Sequence, residues 1–303
     1  MDNVCHTLAG AALAESGLKH RTRFASAALM IAANLPDIDV LAFMTDTPSV
    51  ALRRGWTHGV LAQALLPVVL PAGFLLLDRL RPPRAGGMRV RPAGLLLLGY
   101  IGVLSHVAMD WVNNYGVRLL MPYSNQWFYG DAVFIVDPWL WLTLAAGALL
   151  ARRARRPAIA GAALAVAVGY MGAMVVSARA ARHVVMESWT TSEGRPPAKL
   201  MVGPVPINPL RKTVIVDAGD HYRRGTFSWI PRRLTLAAER TPKNDRDPVV
   251  LQAQAGRQFQ AILSWARFPY YELTKDSDGV RVTVADMRFG PRLFRATTVV
   301  RGP

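Results

Sequence analysis

The first 178 residues alternate long apolar blocks with short polar punctuation. Four blocks have the composition of spanning helices: about 59–77 (GVLAQALLPVVLPAGFLLL), 92–110 (PAGLLLLGYIGVLSHVAMD), 138–151 (PWLWLTLAAGALLA) and 157–178 (PAIAGAALAVAVGYMGAMVVSA). About 20 apolar residues in a helix cross the ~30 Å of bilayer hydrocarbon. The third block falls short of that and is expected to begin in the headgroup layer. Pro67 and Pro71 are expected to kink the first, because proline removes a backbone donor inside a helix. Two shorter helical stretches precede these spans, about 3–18 and 24–35, separated by the basic run KHRTR at 19–23. Pro36 closes the second, since the residue before a proline is pushed out of the helical region. The pair is expected as a hairpin, either tilted or re-entrant, or lying on the membrane surface.

After about residue 179 the periods shorten. KTVIVDA, HYRRGTFSW, PYYELTK, GVRVTVADMRF and LFRATTVV are rich in β-branched and aromatic residues and predict strands. LQAQAGRQFQAILSWA, 251–266, predicts one amphipathic helix. Prolines and glycines over 194–209 predict an irregular linker. The expected fold is an α-helical integral membrane domain, 1–180, with about four spanning helices plus an N-terminal helical hairpin. A small α+β soluble domain, 181–303, follows it.

Charge adds an orientation. Charged residues make up 18% of the chain, against about 25% in soluble domains. Only 15 of the 36 Lys and Arg fall in residues 1–178, and most of those sit between the spans. Arg79, Arg81, Arg84, Arg89 and Arg91 mark one loop as cytoplasmic, and Arg152, Arg153, Arg155 and Arg156 mark another. Arg53, Arg54 and Arg118 run against this bias. The net charge of +16 fits topology and anionic headgroups better than nucleic acid, for which no reading motif is present. Cys5 is the only cysteine, which excludes an internal disulfide. The first ten residues, MDNVCHTLAG, lack the basic-then-apolar pattern of a cleavable signal peptide.

The polar residues at the ends of apolar blocks carry the chemistry. His106 and Asp110 lie one helical turn apart on one face. Charged groups at the edge of a membrane are costly unless they are paired or hold a metal. With the arginine loops inside, His58 opens the first span on the outer side and His106 and Asp110 close the second there. Asp137 opens the third, also outside. If the N-terminal hairpin turns inward at 19–23, His6, Asp37 and Asp39 surface on that side too. Imidazole and carboxylate ligate zinc, and also suit manganese or iron. Of Asp37 and Asp39, in NLPDID, one is expected to ligate. The other would hold a histidine or take a proton. A divalent cation with an open position lowers the pKa of its water to about 7 and polarises an ester oxygen.

Simpler readings stand beside these. Asp37, Asp39, Asp131 and Asp137 are also good helix N-caps. Asn113, Asn114 and Tyr115 form a turn, with Gly116 taking unusual backbone angles. Trp127, Phe128, Trp139 and Trp141 read as an interfacial aromatic belt. His183 and His221 read as ordinary residues of the outer domain. Cys5, beside His6, is a weaker ligand candidate.

The order His6, NLPDID, RGWTHG ending at Gly59, SHVAMDWVNNYG (105–116), MPYS (121–124), Trp127, Asp131 and the DP at 137–138 resembles the YdjM-like family of membrane-bound metal-dependent hydrolases. The resemblance covers roughly 1–180. The helix-borne His-x-x-x-Asp is also similar to that of zinc-dependent phospholipases C. The resemblance implies His6, Asp37, His58, His106 and Asp110 as ligands of a divalent metal, zinc first. THG stands here where THS is common in the family, so a hydroxyl is absent at Gly59.

The function expected is therefore a multi-pass inner-membrane hydrolase with its C-terminal domain in the periplasm. It would cleave a phosphoester or related ester of a lipid-like substrate, with Asp37 or Asp39 as general base and membrane lipids as its surroundings. The alternative is a non-enzymatic, metal-stabilised scaffold or envelope-stress protein whose soluble domain binds a partner. A transporter fits less well, because four or so spans without repeats leave little room for alternating access.

Overall fold

The computed structural model describes residues 1–44, 49–290 and 293–301, so Asp46 lies outside the described residues. The chain divides into two compact units. One holds 1–39 and 54–177, and the other holds 40–53 and 178–303.

The first unit is a helical bundle. α1 (Asn3–Glu15) is capped by Asp2, whose carboxylate accepts from the backbone of Val4 and Cys5. α2 (Ala25–Ala32) gives way to a 3-10 segment at Leu35–Met44. Asp37 bonds to Asn34 three residues back rather than continuing the α-helical ladder. After the short α3 (Ser49–Leu52), which belongs to the other unit, come α4 (Val60–Leu80), which contains Pro67 and Pro71, and α5 (Pro92–Trp111). α6 (Pro138–Ala154) and α7 (Pro157–Glu193) follow. α1 packs on α2 and α6, and α5 packs on α2 and α4. Gly102 makes the α2–α5 approach close: a Cβ there would stand 2.4 Å from Ala32 Cβ.

Among the described residues, α4, α5 and α7 are long and apolar enough to cross a membrane. A fourth candidate is α2 with its 3-10 extension, bent by 50°. The short third block of the sequence is α6, whose 17 residues span about 25 Å, less than the hydrocarbon thickness.

The two ends of the bundle differ in charge. Arg23 bonds Asp78 at 2.6 Å, and Thr22 Oγ1 accepts from Arg91 N. The basic turn 19–23 thus lies with the arginine loop 79–91. Lys19 and His20 line a cavity with Arg152 and Arg155, which brings the second basic loop to the same end. His6, His58, His106 and Asp110 gather at the other end.

The second unit contains two antiparallel sheets. β1 (Lys199–Pro204), β2 (Arg211–Asp217), β3 (His221–Trp229) and β4 (Arg232–Pro242) form one in sequence order. β5 (Pro269–Asp276), β6 (Gly279–Asp286) and β7 (Ala296–Val300) form the other. The region read as a linker, 194–209, therefore contains a strand. The single helix expected at 251–266 is two, α8 (Pro248–Gln254) and α9 (Arg257–Leu263), broken where Gly256 caps the second. The last part of α7 buries Ala181, Val185 and Trp189 against Leu200, Val214 and Phe227. Lys212 is buried in β2, and burial lowers its amine to about 8.

Candidate metal centre

Three stretches of chain deliver the site. The break after α2 is the first. Pro36 cannot donate, and the switch to 3-10 bonding takes Asp37 N to Asn34. The carbonyl of Ala33 is left for a side chain, and His106 Nδ1 stands 2.7 Å from it. A carbonyl only accepts, so Nδ1 carries the proton and Nε2 of the neutral ring presents a lone pair.

His58, in the turn before α4, is held in the same sense. Thr57 Oγ1 donates to Asp39 Oδ2 at 3.2 Å and stands 2.9 Å from His58 Nδ1. The hydroxyl proton is committed to the carboxylate, so the hydroxyl oxygen accepts from Nδ1–H. Asp39 Oδ2 itself lies 3.5 Å from Nδ1. His58 Nε2 is again the lone-pair nitrogen.

These two nitrogens face one another at 3.1 Å. Asp110 Oδ2 lies 3.2 Å from His58 Nε2 and 3.5 Å from His106 Nε2. Asp37 Oδ1 lies 3.8 Å from each. All four residues are buried, and their donor atoms lie within 4.8 Å of one another. Two lone-pair nitrogens and two carboxylate oxygens thus converge. A single proton would serve one pair of these atoms, whereas a cation serves all four. Donors ~2.1 Å from a tetrahedral ion are ~3.4 Å apart, which the observed separations straddle. These four residues could hold a metal ion.

The neighbours divide into supports and bystanders. His6 stacks on His106 with ring centroids 3.8 Å apart, and its Nε2 is 3.4 Å from Asp110 Oδ1. It stands beside the four rather than among them, and neither of its buried ring nitrogens has a hydrogen-bond partner among the described residues. Asp39 stands behind His58, where it also accepts from Arg54 N at 2.6 Å. Asp110 Oδ1 faces the Met1 amino group and, at 3.0 Å, Arg54 Nη2. Asp137 caps α6 through Trp139 N and Leu140 N and accepts from Tyr170. Asp131 takes a positive φ in the connection after α5, with its N–H on Asn113 O. Cys5 packs in an apolar core with Met109 and Val112.

Sequence reasoning missed Arg54 and Thr57. Arg54 is buried, although its charge marked it as a topology signal. Its guanidinium reaches Asp110, Asn113 Oδ1 and Met1 O, and lies over the Tyr115 ring. Its place directly before GWTH was the available hint. Asn113, read as a turn residue, does form the turn by accepting from Tyr115 N, and Gly116 follows with φ +92°.

Beside Asp37 the surface opens into a shallow depression of about 490 Å³, lined by Thr7, Met30, Ile31, Asn34 and Ile38. Asp37 is the member of the four that borders it.

The model of a family described as YdjM inner membrane protein matches residues 1–181, the stretch that contains every donor above. Over 117 residues the chain is 27% identical to "Uncharacterized protein YfhP" of Bacillus subtilis (strain 168). That alignment covers 38% of this chain and 33% of the relative, so it spans about a third of the relative's length. No solved structure matches.

Proposed function

The chain belongs to the YdjM inner membrane protein family, and from that premise we propose that it is a membrane-bound, zinc-dependent hydrolase of a lipid-like ester. The observation that carries this reading is the convergence of two imidazole nitrogens and two carboxylate oxygens at one end of an apolar bundle. When bound, the cation supplies a water acidic near neutral pH and polarises the ester oxygen. The chain's residues do the rest. His58 and His106 keep their protons on Nδ1, directed away from the centre. Arg54 holds Asp110 Oδ1, which leaves Oδ2 for the cation. Asp37, on the wall of the depression, accepts the proton of the attacking water through its other oxygen. Asp39 is a positioning residue that sets His58 through Thr57. A phosphoester is the substrate class that suits a cationic centre at headgroup level. The arginine bias supports a centre on the periplasmic side of the inner membrane, with the C-terminal unit in the periplasm.

One observation favours the alternative of a metal-stabilised scaffold. All four donor residues are buried, and structural zinc sites are closed where catalytic ones keep an open position. A single experiment separates the two. The full chain is purified in detergent, its bound metal is quantified, and its turnover is followed on phospholipids and phosphodiesters. Stoichiometric metal with turnover that His106→Ala abolishes supports the hydrolase. Stoichiometric metal without turnover across the panel supports the scaffold, and absence of metal at saturating zinc overturns both.

A further inference from the structure

Leu8, Ala11, Met30, Ala145, Ala148 and Leu149 line a cleft of about 650 Å³ that runs along α1, α2 and α6. Glu15, Lys19 and Arg152 border it. The same three residues border a second cavity of about 330 Å³, which continues past His20 and Arg155. Met30 is shared with the depression at Asp37. The cleft is thus apolar along its length and basic at one end, and its volume is that of a ligand pocket, ~300–1,000 Å³.

The charges do not cancel locally. Glu15 bonds Lys19. Arg152 and Arg155 form no ion pair among the described residues. Three fixed cations against one anion leave two positive charges where the cleft ends. Both basic loops of the bundle lie at this end, so the cleft opens at the level of the headgroups of the leaflet that they face. Basic pockets between membrane helices at such a level bind anionic headgroups.

We propose that this cleft is a binding site for an anionic phospholipid, with the phosphate held by Lys19, Arg152 and Arg155 and one acyl chain lying along Ala11 and Ala148. A zwitterionic lipid would bring its own ammonium against these cations, and so binds more weakly. None of the three cations that would hold the phosphate touches the metal centre, and neither reading depends on the other.

The test is native mass spectrometry of the full chain in detergent, titrated with dioleoyl-phosphatidylglycerol or dioleoyl-phosphatidylcholine. The expected result is a one-to-one phosphatidylglycerol adduct that outcompetes phosphatidylcholine. Replacing Arg152 and Arg155 together by alanine should weaken it about thirtyfold, from two lost headgroup contacts. Arg84→Ala with Arg89→Ala removes the same charge from the same end outside the cleft and should change binding less than threefold. Ala148→Trp fills the cleft and should reduce binding of both lipids. Equal binding of the two lipids by the wild type would overturn the proposal. So would equal weakening by the two arginine pairs, which signals a general surface potential. Should Ala148→Trp aggregate, the arginine comparison decides alone. Zinc content, measured in parallel, should stay unchanged in every variant.

Discussion

Thr57→Val tests the tautomer argument on which the metal centre rests. The change keeps the side-chain shape and removes the hydroxyl that stands 2.9 Å from His58 Nδ1 and 3.2 Å from Asp39 Oδ2. Two consequences follow. His58 Nδ1–H loses the oxygen that holds it, at a cost of about 1–3 kcal/mol in a buried site. The imidazole is also free to move its proton to Nε2, where it points at His106 Nε2 and Asp110 Oδ2 and competes with a cation. Losing such an outer partner typically weakens metal binding about 10–100-fold, or about 1.4–2.7 kcal/mol. The two ranges agree, which they should if the lost hydrogen bond and the lost affinity have one origin. The assay is competition against a zinc chelator with purified full-length protein in detergent. Thr57→Ser, which restores the hydroxyl, should recover affinity to within about threefold. Wild-type affinity in Thr57→Val, or equal losses in the Val and Ser variants, would show that the Thr57 hydroxyl does not set the His58 tautomer.

Other outcomes follow from the same geometry. His106→Ala and Asp110→Asn should each abolish stoichiometric zinc, measured by elemental analysis. Asp137→Ala should leave zinc untouched and cost about 1 kcal/mol of thermal stability through the lost α6 cap. The Lys212 amine, at about 8 when folded and 10.5 when exposed, binds fewer protons in the folded chain between those values. Stability should therefore rise with pH across that window by about 3 kcal/mol, and Lys212→Met should flatten the rise in pH-dependent unfolding. Reporter fusions after residue 85 and at residue 303 should report opposite compartments; one compartment for both would overturn the topology.

The long apolar blocks were legible because membrane crossing demands length and composition, which sequence displays directly. α4 and α5 begin and end within a few residues of the blocks that predicted them. α7 did not end where its apolar run ends, because Ala181, Val185 and Trp189 continue at helical spacing through a polar stretch, and that spacing was the readable signal. β4 was missed because it is exposed along most of its length and rich in arginine and alanine. β1 was missed because its glycine and proline read as a loop. In the site, an i, i+4 pair announced His106 and Asp110. Nothing local separated Asp37 from Asp39, since their difference is which side of His58 each occupies. Arg54 and Thr57 matter through partners 56 and 18 residues away, which no local pattern encodes.

The four donors come from three stretches of chain, with His58 and His106 48 positions apart. During synthesis Asp110, in the last turn of α5, is the last of them to emerge. A cation captured there would rivet together segments that enter the bilayer at different times, closing loops whose entropy the bundle otherwise opposes unaided. Capture of the ion would then report that the N-terminal hairpin and the first two long helices have reached their partners, and metal supply would act as a checkpoint on assembly.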